Sequence, residues 1–335
     1  MMRLRAPIAL SLGDPSGIGP EVAAAAWRQL RGELAMFALG DPHCLAATGV
    51  PVRVIDDPAE AHVPDSRAFA ILPIPLSGQA RPGRPDPAHA QGVIEAIETG
   101  ARLTLSGAAS SLCTAPINKR TLREGAGFAF PGHTEFLAAL CGVARPVMML
   151  AGPDLRVVPV TIHIALAAVV ETLTAPLLEE TLRITHAALI AHFGLQAPRI
   201  AVAGLNPHAG EAGQMGREEI VLIRPVIERL RATGMDLRGP LPADTLFHPA
   251  ARAGYDAAVC MYHDQALIPI KTLSFDAGVN LTLGLPIVRT SPDHGTAYDI
   301  AGTGRANPAS MIAALRMADA LASRRAQANG RGQDG

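Results

Sequence analysis

The sequence predicts an α/β protein of about two domains, built on mostly parallel sheet. Three observations carry that prediction. The chain has 335 residues, about two domains' worth at roughly 150 residues each. Hydrophobic residues make up 49% and charged residues 18%, so packed cores are well supplied. Short apolar runs alternate with longer stretches of helical periodicity, the rhythm of βα units.

The first apolar run, 8–12, follows Pro7 and leads into a Gly/Pro turn, so it reads as a buried strand and not as a leader. Further strands are expected at 36–39, 68–73, 111–114, 156–161, 199–203 and 257–261. Helices are expected at 20–29, 89–105, 134–140, 175–192, 218–231 and 308–328. The second of these spaces Val93, Ile94, Ile97 and Leu103 as one apolar face. The proline-rich segment 72–87 reads as a surface excursion, and 325–335 as a frayed tail.

Composition excludes several function classes. Lys+Arg is 29 and Asp+Glu is 30, a net charge of -1 with no basic block, and aromatics are only 4%. A nucleic-acid or anionic-membrane binder would carry a basic footprint, and a base-stacking platform more aromatics. No run of about 18 uncharged apolar residues is present to span a membrane. Cys44, Cys113, Cys141 and Cys260 are far apart and form no C-x-x-C pair, which fits reduced thiols in a cytoplasm.

Three of the eleven histidines share one context. The expected strands 156–161, 199–203 and 257–261 lead to His163, His208 and His263. Loops after the carboxyl ends of parallel strands face a common crevice. Three imidazoles delivered there would hold one divalent ion and leave a position open for substrate. Each could instead only cap its strand, but three coinciding, with Asp264 beside one, favour the metal.

Downstream, Lys271, Asn280 and Arg289 recur at nine-residue intervals in a mostly apolar, hairpin-like stretch. A cation in such a place needs a partner, and a phosphate or carboxylate on a substrate would be one. Gly132-His133-Thr134-Glu135 opens a helix. Thr134 reads equally as a helix cap or as a substrate contact, and the first-turn N–H groups would suit an anion. Gly13-Asp14-Pro15-Ser16-Gly17-Ile18-Gly19-Pro20-Glu21 is a strand-to-helix turn that does not match the G-x-G-x-x-G fingerprint.

That turn is similar to the glycine-rich turn of the isocitrate and isopropylmalate dehydrogenases, and 293–308 resembles their cofactor loop. The three histidines, with GDPSGIGPE, APINK, PGHTEFLA, LNPHAGE, GPLPADTLF, MYHDQALIPIK and SPDHGTAYDIAGTG, resemble the 4-hydroxythreonine-4-phosphate dehydrogenase family, over about 8–318. The resemblance implies an isocitrate/isopropylmalate dehydrogenase-like fold, two α/β/α domains with the active site in the cleft between them. The expected division is 1–126 plus 267–335 for the cofactor and 127–266 for metal, substrate and dimerisation.

Carried over by position, the resemblance makes His163, His208 and His263 the ligands of Zn²⁺, or alternatively Co²⁺ or Mg²⁺. His133, Thr134, Lys271, Asn280 and Arg289 become substrate contacts, and Gly295, Asp299 and Asn307 cofactor contacts. Asp299 at the ribose hydroxyls would favour NAD over NADP. The resemblance also implies a homodimer with the site at the subunit interface. The expected reaction is oxidation of the C3 hydroxyl of 4-phosphooxy-L-threonine, followed by decarboxylation, with Asp264 or Lys271 as general base. Two rivals stand beside it: a paralogue acting on 4-phospho-D-threonate, 4-phospho-D-erythronate or an aromatic cis-dihydrodiol, and a non-catalytic binding module.

Overall fold

A computed structural model describes residues 5–62 and 67–331. The chain forms two compact units, Met1–Pro146 with Leu285–Ser323, and Val147–Gly284 with Arg324–Gly335. The first unit opens with β1 (Ile8–Ser11), α1 (Gly19–Leu30), β2 (Met36–Gly40), α2 (Pro42–Ala46) and β3 (Val52–Val54). It continues through β4 (Phe69–Pro73), α3 (Ala90–Leu105), β5 (Ser111–Thr114), α4 (Lys119–Ala126) and α5 (His133–Leu140). The second unit runs through β6 (Val147–Ala151), β7 (Arg156–Pro159), α6 (Val169–Thr172), α7 (Ala175–Ala191), β8 (Arg199–Ala203) and α8 (Arg224–Arg231). Then come β9 (Asp236–Leu241), α9 (Pro249–Arg252), β10 (Ala257–Cys260), α10 (His263–Ser274) and β11 (Val279–Leu283). The chain closes with β12 (Arg289–Pro292) and α11 (Ala309–Arg331).

Sheet in the first unit is parallel throughout, in the order β3-β4-β2-β1-β5-β12. From β1 the chain winds one way through β2 and the other through β5, so the strand order reverses between β1 and β5. Ligands bind at such a point in open α/β sheets. Helix α3 packs on β1, β2 and β5. Its Ile97 and Ala101 join Ala9, Phe37, Leu39 and Leu112 in a buried core, which explains the apolar spacing seen in the sequence.

In the second unit the order is β11-β6-β7-β10-β8-β9. Here β7, β10, β8 and β9 run parallel, while β6 is antiparallel to both β7 and β11. Helix α10 packs on β6, β7 and β10 through Ala266, Leu267 and Ile270, against Leu150, Val157 and Ala258.

All seven expected strands are present to within two residues. Five more were not expected, β3, β6, β9, β11 and β12: β6 is an unbroken apolar run, β11 (Val-Asn-Leu-Thr-Leu) alternates but lay in the stretch read as hairpin-like, and β12 is Arg-Thr-Ser-Pro yet wholly buried. The hairpin-like reading of the stretch after His263 is corrected. Its first part is helix α10, with Pro269 inside it. Proline removes one backbone donor but does not forbid a helix whose apolar face is packed. The tail is also more ordered than expected, since α11 runs to Arg331, while 332–335 lie outside the described residues.

The divisions fall at Pro146/Val147 and Gly284/Leu285, where the sequence reading set 126/127 and 266/267. Phe128 and Phe136 pack edge to face, 5.0 Å apart, which keeps α5 with the first unit. Strand β11 pairs with β6 from Val279↔Ala151 to Leu283↔Val147, which keeps 267–283 with the second. No helix among the described residues is long and apolar enough to cross a membrane.

Candidate active site

Strand β10 lies between β7 and β8, parallel to both. The loops bearing His163, His263 and His208 therefore leave three adjacent carboxyl ends. The Thr161 hydroxyl donates to the Met261 carbonyl at 2.8 Å, tying two of those ends together. Buried Gln265 ties the third: it accepts from Met261 N at 2.7 Å and donates to the Gly204 carbonyl at 2.7 Å.

The imidazoles of His163 and His263 have ring centroids 5.7 Å apart. With Thr161, Tyr262 and Asp264 they line a cavity of about 260 Å³. Asp264 Oδ1 lies 2.7 Å from His263 Nδ1. A carboxylate there holds the proton on Nδ1 and leaves Nε2 as the lone-pair donor, the usual second partner of a metal-binding histidine. Lys271 stands two turns along the same face of α10, its ammonium 5.9 Å from the Phe275 ring centre. On β11, the Asn280 Oδ1 is buried with no hydrogen-bond partner.

His208 enters on a left-handed turn. Among the described residues six non-glycine residues have positive φ: His163, His208, Ala209, Glu211, Ala212 and Ala297. Each costs roughly 1–2 kcal/mol, so such residues persist only where the surroundings enforce them. Five belong to the two histidine loops and the sixth to the 293–308 loop.

Within this one chain His163 and His263 meet, but His208 does not complete a ligand group with them. No cluster of three His, Cys, Asp or Glu able to hold a metal occurs among the described residues. The donor chemistry nonetheless fits a borderline-soft divalent ion: two facing imidazoles, one oriented by a carboxylate, with a third on the neighbouring strand end.

In the first unit Arg289 lies within electrostatic reach of His133. Arg289 is only 4% exposed, and its Nη2 donates to the Thr114 hydroxyl at 2.6 Å. Burial pushes its guanidinium down to about 10, with Cys113 and then Glu135 pulling the other way. Burial, then the charges of Arg289 and Lys119, push the His133 imidazole well below its ordinary value, so it is neutral at physiological pH. Its Nε2 is buried without a hydrogen-bond partner. The helix cap is corrected: Gly132 is the N-cap of α5, with no side-chain cap, and Thr134 lies inside the first turn. The first-turn N–H groups and the Thr134 hydroxyl are thus not committed to a side-chain cap.

Also in the first unit, the 293–308 loop is fastened to the turn after β1. Ile18 N donates to the Thr296 carbonyl at 2.9 Å, the Tyr298 hydroxyl to Asp14 at 2.6 Å, and Gly302 N to Glu21 Oε2 at 3.0 Å. Asp14 N in turn reaches the Pro116 carbonyl after β5, at 2.9 Å, so this assembly sits at the reversal of strand order. A cavity of about 800 Å³ opens against it, lined by Pro15, Gly17, Glu21, Gly302, Gly304 and Ala306 among others. Glu21 Oε1 is buried with no partner, which fits the hydroxyls of a nucleotide ribose. Gly295 and Asp299 are exposed and Asn307 Oδ1 caps α11 through Ala309 N at 3.0 Å; none of these three lines that cavity.

The sequence profile of the family described as pyridoxal phosphate biosynthetic protein PdxA matches residues 33–318. The chain belongs to this family. A member from Ruegeria sp. (strain TM1040), named 4-hydroxythreonine-4-phosphate dehydrogenase, is 58% identical over 318 residues, covering 95% of this chain and 97% of that protein. The crystal structure of 4-hydroxythreonine-4-phosphate dehydrogenase from Klebsiella pneumoniae superposes with a TM-score of 0.88 at 39% identity, covering 96% of this chain and 99% of that one. A terephthalate 1,2-cis-dihydrodiol dehydrogenase from Burkholderia xenovorans LB400 superposes at 0.66 with 29% identity, covering 93% and 97%.

Three residues of this PdxA-family chain escaped the sequence reading. Gln265 sits in the same motif as His263, but its two bonds are visible only once β8 and β10 are neighbours. Lys119 acts on His133 from α4, across a loop. Glu21 looked like an ordinary acidic residue in a first helical turn.

Proposed function

We propose that the chain oxidises 4-phosphooxy-L-threonine at C3 with NAD⁺ and a divalent metal ion. The product, 2-amino-3-oxo-4-phosphooxybutanoate, loses CO₂ to give 3-amino-2-oxopropyl phosphate, a step towards pyridoxal 5'-phosphate. The observation that carries a phosphorylated substrate is the buried Arg289 beside neutral His133. A guanidinium removed from water is stabilised by a bidentate anion, and phosphate geometry suits it.

In this reading the phosphate lies against Arg289, His133 and the Thr134 hydroxyl at the start of α5. Asn280 and Lys271 hold the amino-acid end, the orphaned Asn280 Oδ1 accepting from the substrate amino group. His163, His208 and His263 hold the metal, Zn²⁺ or alternatively Co²⁺ or Mg²⁺, which supplies Lewis acidity for ionising the hydroxyl and later for the loss of CO₂. Asp264 orients His263, and the hydroxyl proton goes to Asp264 or to the free-amine form of Lys271, both on α10. Glu21, in the cavity beside the 293–308 loop, holds NAD, which accepts the hydride, while the expected contacts Gly295, Asp299 and Asn307 lie outside that cavity. The Glu21 carboxylate favours NAD over NADP, because a 2′-phosphate would meet negative charge.

The histidine set is completed when two copies meet. Beside His163, the side chains of Ile164, Leu166 and Val170 are 41%, 70% and 55% exposed, apolar surface that a second copy would cover. A 4-phospho-D-threonate or 4-phospho-D-erythronate substrate would satisfy the same phosphate cradle. An aromatic cis-dihydrodiol would bring no phosphate to it. His208→Ala tests the reading: metal-dependent NADH formation is abolished while the Tm of the metal-free protein stays unchanged, and a fully active variant overturns the ligand set.

A further inference from the structure

The left-handed turn that carries His208 needs something to hold it, and the surrounding contacts converge on one side chain. Glu219 is 1% exposed. Its Oε1 accepts from the backbone N–H of Leu205 and of Asn206, both at 2.8 Å, and its Oε2 accepts from the Asn206 amide at 3.0 Å. The second hydrogen of that amide goes to Glu218 at 2.7 Å. Glu219 therefore fixes the two residues that precede Pro207 and His208.

It also contacts the far side of the turn. Gly210 has φ +77, and a Cβ there would stand 2.5 Å from Glu219 Oε2, so the backbone lies directly against the carboxylate. The chain returns through Met215 N, which donates to the Gly210 carbonyl at 3.1 Å. A Cβ at Gly216 would stand 2.3 Å from the Asn206 amide nitrogen. Both glycines are needed to wrap 206–216 round one buried carboxylate.

The element carrying Glu219 is itself irregular. Residues Glu219–Ile223 form a single π-turn ahead of α8. Such turns arise where one extra residue re-aims a side chain, and they concentrate at functional sites. Here the inserted turn begins at the anchoring glutamate.

We infer that Glu219 is the positioning residue for His208: the π-turn delivers its carboxylate beneath the left-handed turn, which holds the imidazole in its strained, ligand-ready conformation. This rests on the reading of His208 as a metal ligand. Glu219 touches neither metal nor substrate and acts through the backbone at Leu205, Asn206 and Gly210. In Glu219→Gln one oxygen still accepts from the two N–H groups, but the new NH₂ faces the Asn206 NH₂, so the far contact is lost.

The test uses the full-length protein as wild type, Glu219→Gln, His208→Ala, and Ile97→Ala as a control that empties a buried site on α3, in the first unit. Zn²⁺ binding is titrated, and amide exchange is followed across 205–216 without metal. Glu219→Gln is expected to weaken Zn²⁺ binding about 10–100-fold, the range for groups that orient metal ligands, and to speed exchange across the turn. Ile97→Ala lowers Tm without doing either, which separates positioning from general stability. Unchanged exchange and unchanged Zn²⁺ affinity in Glu219→Gln overturn the inference. If wild type and His208→Ala bind Zn²⁺ alike, the ligand reading fails instead, and exchange alone decides whether Glu219 holds the turn.

Discussion

Asp264 and His263 are neighbours in the chain, yet they face each other across 2.7 Å, carboxylate oxygen to Nδ1. The Asp264 side chain is 70% exposed, so the contact adds little to folding and its consequence lies at the site. Asp264→Asn is expected to leave Tm unchanged. Its amide stabilises the wrong tautomer of His263, and Zn²⁺ affinity falls about 10–100-fold. A metal titration beside a thermal melt checks both.

Arg289→Lys keeps the charge but loses the planar fork that grips an anion at two points. The KM for a phosphorylated substrate is expected to rise about 10–100-fold, with a smaller change in kcat. Inorganic phosphate, a competitive inhibitor of the wild type in this account, weakens in parallel. Steady-state kinetics with and without phosphate measure this.

Gly17 contacts the 293–308 loop at van der Waals limits: a Cβ there would stand 2.8 Å from the Thr296 carbonyl oxygen. Gly17→Ala therefore pushes the loop away from the turn after β1. The KM for NAD is expected to rise roughly tenfold, because small displacements of positioning groups are expensive, with the substrate KM little changed. Varying each substrate in turn separates the two.

Burial, then the charge of Arg325, pushes His192 from 6.5 down to about 4. As pH falls the unfolded chain takes up this proton first. Stability from this group is complete above about pH 6.5 and is lost towards pH 4, by an amount on the order of 2 kcal/mol. His133 is shifted in the same direction and adds to the loss. His192→Gln should flatten its share of the decline in a series of thermal melts between pH 7 and pH 4.

The parts of the fold that were legible were those where local pattern and global packing agree. Each strand ending in a candidate histidine was a short apolar run with a turn after it, and β7, β8 and β10 appear where expected. The stretch after His263 was misread because Pro269 and the β-branched Ile268 and Ile270 argue locally against a helix. Packing of Ala266, Leu267 and Ile270 on the sheet overrides them. Thr134 misled as a cap because the true N-cap, Gly132, offers no side chain to read.

In the proposed site, the histidines, Arg289 and His133 could be singled out from sequence, because in that proposal those groups carry the chemistry themselves. The groups that hold them could not. Gln265, Glu219 and Lys119 act through partners distant in sequence, and a buried glutamate without a cation partner has no local signature. The left-handed turn at His208 was equally hidden, since four of the six consecutive residues with positive φ, 208–213, are not glycine.

The central claim is tested most directly by NADH formation from 4-phosphooxy-L-threonine beside 4-phospho-D-threonate, each with and without a metal chelator. The account predicts rapid, chelator-sensitive turnover of the L-amino acid and little from the threonate. Preference for the threonate, or turnover indifferent to the chelator, would contradict it.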